Sequence, residues 1–166
     1  MNSTLKIIDD EPLNIGVNQE PRAQVATKLC GFLASTYTLY MKTLNYHWNV
    51  TGKQFSSLHE MFEGQYEDLH GAGDALAERI RALGHFTPGT FREYLELSTI
   101  EEDSSLPESA ELMLQNLLAD NEACSREARA VLKVAEKAED EVTVDMMVER
   151  MSIHEEAAWM LRSTLQ

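Results

Sequence analysis

Apolar residues recur at helical spacing in four long stretches of the chain. The first runs from Arg22 to about Trp48, with Val25, Leu29, Phe32, Leu33, Thr36, Leu39, Tyr40, Thr43 and Leu44 on its inner face. Pro21 falls in its first turn, where a missing N–H costs nothing, and the segment Asn49-Val50-Thr51-Gly52 ends it. A second helix is predicted over about Ser56–Gly84, a third over about Glu108–Lys137 and a fourth over about Asp140–Leu165. Core candidates are Leu112, Leu117, Leu118 and Val131 in the third, and Val144, Met147, Val148, Met151, Ala158 and Leu161 in the fourth. Between the second and third lies a long connection that holds a short amphipathic piece, Phe91–Leu97. No alternating strand pattern and no internal repeat is seen, and all four prolines fall outside the predicted helices. The fold is therefore expected to be all-α. Two antiparallel pairs joined by a long crossover make a four-helix bundle with a short extra helix in that crossover. Residues 1–21 are expected to form a tail, mobile or wrapped on a neighbour, and residues 22–166 the single domain.

The second helix carries the candidate chemistry. At 100° per residue His59, Glu63, Asp74 and Glu78 fall in one sector about 100° wide. They share a face but not a location, because His59 and Glu78 lie roughly 28 Å apart at 1.5 Å per residue. No single copy of the helix brings all four to one ion. The positions 59 and 78 sum to 137, as do 63 and 74. Two copies crossing antiparallel about a two-fold axis would set residue i opposite residue 137 − i. His59 and Glu63 of one chain would meet Glu78 and Asp74 of the other, giving two identical sites per dimer. His47, near the end of the first helix, is expected to approach His59 across the short link. The plainer alternative is a charged face that only meets water. On the same stripe, the pairing rule sets His70 opposite Glu67 of the partner, which reads as a contact across the axis. His85 and His154 read as structural. Gly64, Gly71 and Gly73 interrupt the helix and could permit close approach of a neighbour.

Imidazole and carboxylate without thiolate suit iron, manganese or zinc in open coordination. The Glu-x-x-His pairs of an intrasubunit di-iron centre are incomplete here. Glu67-x-x-His70 is one match, while the fourth helix offers only Met151-x-x-His154. Cys30 and Cys124 stand apart with no CxxC and read as buried free thiols in a reducing compartment, with a bridge between them the lesser alternative. A net charge of −14 disfavours nucleic acid and anionic membranes as partners. No apolar run is long enough to span a membrane, and the start lacks the pattern of a secretory signal, so a cytoplasmic protein is expected.

The run Tyr46-His47-Trp48-Asn49-Val50-x-Gly52-x-x-Phe55-x-x-Leu58-His59-Glu60, followed by Asp74-x-x-Ala77-Glu78-Arg79-Ile80, resembles the signature of the Dps family, the mini-ferritins named as DNA-binding proteins from starved cells. The likeness extends over about residues 22–166, with His154-Glu155 and Ala158-Trp159-Met160-Leu161 matching in the last helix. It implies a ferritin-like four-helix bundle assembled into a twelve-subunit hollow shell built from two-fold dimers. It also implies ferroxidase centres of two iron ions at the two-fold interfaces, which zinc or manganese could also occupy. Carried over, the metal ligands are His47, His59 and Glu63 of one subunit with Asp74 and Glu78 of the partner. The family usually has aspartate where Glu63 stands. Glutamate is one methylene longer, so this ligand either sits differently or binds through water. The resemblance places Trp48 beside the centre, where an indole donates an electron and quenches damaging radicals. A packing residue is the other reading and is compatible with that role.

The activity implied is oxidation of Fe(II), preferably by hydrogen peroxide, with ferric mineral kept in the cavity. Glu141, Asp145 and Glu149 follow i, i+4, i+8 on the fourth helix. In the family, acids in this region line three-fold channels through which Fe(II) enters; a solvated acidic face is the alternative. DNA binding is doubtful. Members that condense DNA often use lysine-rich tails, whereas this tail has Lys6 alone against Asp9, Asp10, Glu11 and Glu20. A different class of function, a structural or nucleoid-associated shell with an impaired centre, is the alternative reading. No further cofactor is expected.

Overall fold

A computed structural model describes residue 6 and residues 13–166. The described residues form five helices and no strand: α1 (Gln19–Asn49), α2 (Phe55–Ala82), α3 (Phe91–Leu97), α4 (Ala110–Lys137) and α5 (Glu141–Thr164). The boundaries follow from local chemistry. Positive φ at Gly52 (114°) and Gly84 (85°) marks the breaks after α1 and α2. Thr90 and Glu93 cap α3 reciprocally, each side chain taking the other's backbone N–H. Ser109 accepts the Leu112 amide at the start of α4, and Asp140 accepts the Thr143 amide at the start of α5. Between α4 and α5, Glu139 takes the left-handed conformation that lets the chain reverse in a few residues.

α1 is the central element. It packs against α2, α3 and α4, and α4 packs against α5. Phe32, Leu33, Leu39 and Tyr46 of α1, Leu58, Phe62, Leu76 and Ile80 of α2, and Leu117 and Met147 of α4 and α5 are all within 1% of full burial. The long crossover is pinned to this core by polar contacts. Thr99 donates its amide to Ser35 Oγ at 3.0 Å and its hydroxyl to Glu127 at 2.8 Å. Farther on, Asp103 accepts from the Tyr46 hydroxyl and faces Lys42, whose Nζ lies 2.7 Å from Asp120. The α2–α5 seam is bridged by two arginines instead of close backbone packing. Arg150 forks onto both oxygens of Asp68 at 3.1 and 2.7 Å, and Arg79 reaches Asp140 at 2.5 Å.

Three sequence expectations need correction. α1 begins at Gln19, before Pro21, and α2 stops at Ala82, before Gly84. Leu112 and Val148 are 41% and 50% exposed, outside the core. Each stands about 100° round its helix from a buried neighbour, Met113 and Met147 respectively, just beyond the buried sector. Of the glycines inside α2, Gly64 and Gly71 face open space in the protomer, and Gly73 admits the ring of Tyr37 closely.

Asp140 caps α5 and is the buried partner of Arg79, so Asp140→Ala is expected to cost about 3 kcal/mol. Asp140→Asn, which can still cap, should lose less; thermal unfolding followed by circular dichroism checks the order.

Candidate metal centre

The turn between α1 and α2 brings His47 and His59 together. Their rings stack with centroids 3.7 Å apart and planes 20° from parallel. Each ring bonds the other residue's backbone: His47 Nδ1 lies 2.9 Å from the His59 carbonyl oxygen, and His59 Nδ1 lies 2.9 Å from that of His47. The cause is local. His47 stands in the last turn of α1, where carbonyls lack an amide four residues ahead within the helix, and His59 fills that need. A carbonyl only accepts, so Nδ1 is the N–H of each ring, and in the neutral tautomer the lone pair sits on Nε2. Two fixed imidazoles with free Nε2 atoms are suited to metal ligation.

Glu63 follows one turn after His59 on α2, and its Oε1 accepts a long 3.5 Å bond from the Tyr66 hydroxyl. Asp74 and Glu78 lie farther along the same helix and are exposed. Among the described residues of one protomer, no three His, Cys, Asp or Glu side chains converge tightly enough to hold an ion. The protomer thus brings together the two histidines and keeps the two distal acids away from them. The thiols take no part: Cys30 and Cys124 are buried and free, and burial raises the Cys30 thiol to about 11 and that of Cys124 further. The donor set is imidazole and carboxylate, which fits a borderline divalent metal such as ferrous iron.

Trp48 is 59% exposed, so it is no packing residue of the protomer. Phe55, beside His59 at 5.1 Å between centroids, is also exposed. Glu141, Asp145 and Glu149 are all exposed on α5. Asp145 and Glu149, with Glu67 and Asp68, line an open groove of about 510 Å³ on the α2–α5 seam. No helix among the described residues is long and apolar enough to cross a membrane.

Residues 28–166 match the ferritin-like domain family. The chain is 37% identical over 142 residues to DNA protection during starvation protein 2 of Bacillus anthracis, covering 86% of this chain and 97% of that one. The chain belongs to the Dps family. Another relative is an uncharacterised low temperature-induced protein of Nostoc sp., 41% identical over 93% of this chain and 87% of its own. Among solved structures, the Dps protein of Vibrio cholerae, described as a member of a broad superfamily of ferritin-like diiron-carboxylate proteins, aligns with a TM-score of 0.88. It shares 31% identity, over 95% of this chain and 99% of its own. Mini-ferritin architecture follows, with α3 as the short helix in the crossover between the second and third bundle helices.

Sequence reasoning passed over residues around the histidines of this Dps-family chain. Tyr66 lies edge-on to His47 at 5.1 Å, and Tyr40 lies 6.2 Å from Tyr66 and 5.7 Å from His70. The spacing carried only part of the signal. Tyr40 and His47 are seven apart on α1, as are His59 and Tyr66 on α2, so each tyrosine lies two turns from its histidine on the same face.

His154 is structural in its contacts: it is 1% exposed, with Nδ1 2.9 Å from Asn121 Oδ1 and Nε2 3.5 Å from Arg150 Nη2. Burial, then the Arg150 charge, lowers its pKa from 6.5 to about 3. The folded protein therefore holds His154 neutral where the unfolded chain would protonate it. That contribution to stability is full above pH 6.5 and is lost as pH falls toward 3. Urea unfolding across this window should show stability rising with pH, and His154→Gln should flatten the rise.

Proposed function

We propose that this Dps-family protein oxidises Fe(II) with hydrogen peroxide at centres shared between two subunits, and keeps the ferric product inside a dodecameric shell in the cytoplasm. The observation that carries this reading is the reciprocal lock of His47 and His59, which leaves two Nε2 donors, with Glu63 one turn along α2, in a protomer that gathers no complete ligand set. The 137 − i pairing completes it: Asp74 and Glu78 of the partner subunit complete the set for two ferrous ions, the substrate. Glu63, longer than the family's usual aspartate, binds directly in a different position or through water.

The chemistry needs two electrons delivered together. Each ferrous ion gives one, the O–O bond of peroxide breaks, and the two oxygens leave as two waters after taking up two protons. Pairing the ions avoids the one-electron step that would release hydroxyl radical. The protein's part is to hold both ions with neutral imidazole and carboxylate donors and leave room for the oxidant. Trp48, exposed at the end of α1, donates an electron to any radical that escapes. Glu141, Asp145 and Glu149, as a carboxylate-lined route, would concentrate Fe(II) on its way in.

In stopped-flow assays the wild type should consume two Fe(II) per peroxide in a fast phase, and His59→Ala should slow that phase by at least about tenfold. A variant as fast as the wild type would overturn the site. With its charge of −14 the protein should produce no DNA gel shift near neutral pH and physiological salt, and a clear shift would contradict this part of the reading.

A further inference from the structure

A line of tyrosine rings leaves the histidine pair and ends at the other half-site of the same chain. Tyr66 lies 5.1 Å from His47, Tyr40 lies 6.2 Å from Tyr66, and Tyr37 lies 6.3 Å from Tyr40. Tyr37 then rests on α2 at the one glycine where that helix admits a ring. A Cβ at position 73 would stand 2.8 Å from Tyr37 Cζ and 3.1 Å from its hydroxyl oxygen. The next residue is Asp74, whose charge, after burial, helps hold the Tyr37 phenol above its usual range. Along α2, Glu63 and Asp74 are about 16 Å apart, a long single tunnelling step. Tunnelling weakens exponentially with distance, so short hops from ring to ring outrun one direct transfer.

We propose that Tyr66, Tyr40 and Tyr37 form an electron relay within each subunit that joins the two iron centres of a dimer, so that two ferrous ions bound singly at different centres reduce one peroxide together. This rests on the shared-centre reading above, in which His47 and Asp74 of one chain serve different centres. The electrons balance without an added reductant. At the first centre, one Fe(II) gives an electron to peroxide, the O–O bond breaks, and one oxygen leaves as water with a proton from solvent. Tyr66 gives the second electron and its phenolic proton. Tyr40 and then Tyr37 each restore the preceding phenol with an electron and a proton. The Tyr37 radical takes its electron from Fe(II) at the second centre and its proton from solvent. The sum is two Fe(II) oxidised, two protons consumed and one peroxide converted to two waters.

The test loads the assembled protein with one Fe(II) per subunit, adds half an equivalent of peroxide, and reads freeze-quench electron paramagnetic resonance and a hydroxyl-radical spin trap. The wild type should show a brief tyrosyl signal and little trapped radical. Tyr40→Phe, which keeps the ring but removes the phenol, should raise trapped hydroxyl radical several-fold and leave a long-lived tyrosyl signal at Tyr66. Gly73→Ala, which displaces Tyr37, should do the same. At two Fe(II) per centre, both variants should oxidise iron as fast as the wild type. Variants that match the wild type in radical yield at one Fe(II) per subunit would overturn the relay. A wild type with no fast oxidation even at two Fe(II) per centre would overturn the shared centre itself and the relay with it.

Discussion

The exchange of hydrogen bonds between His47 and His59 is the contact on which the candidate metal centre depends. It joins the last turn of α1 to the first turns of α2, satisfies a helix-end carbonyl, and fixes two rings face to face with defined tautomers. Each ring bonds the other's backbone, so neither can rotate without losing its own bond and the stack. A donor pair fixed in this way needs little reorganisation when a metal arrives, and it is set by the link between two helices instead of by a mobile loop.

The remainder of the bundle keeps that link in place. Tyr46, immediately before His47, is buried against Phe62 and tied through its hydroxyl to Asp103 and Asn116. Its neighbour one turn back, Lys42, is paired with Asp120. These contacts tie the end of α1 to α4 and to the long crossover at once. On the far side, Asp68, Arg150, His154 and Asn121 connect α2, α5 and α4 through a polar chain. Replacing one member would leave the others buried and unpaired, which is why such chains favour one arrangement of the helices.

Much of this was legible in the residues alone. Helical spacing located all five helices to within a few positions, because Gly52, Gly84, Pro88 and Pro107 lie in the breaks. The 19-residue separation of His59 from Glu78 ruled out a complete site in one copy of the helix, and the protomer's described residues show none. The losses came at the margins of faces. Val148 and Leu112 are apolar but lie just outside the buried sector, and periodicity does not separate a core edge from a surface that meets another subunit. The tyrosine line was harder to see, since it depends on rings from α1 and α2 meeting at distances that no single-helix pattern encodes. Gly73 illustrates this: as a helix residue it is only a weakness, and its use appears once the Tyr37 ring is found against it.

The idea that each subunit holds half a centre is tested most directly by complementation. Subunits carrying His59→Ala and subunits carrying Glu78→Ala, each inactive alone, are co-assembled. In a mixed dimer one centre would lose both ligands and the other would keep every one, so fast peroxide-dependent iron oxidation should return. Mixed assemblies as inactive as either parent would contradict a centre shared across the two-fold axis.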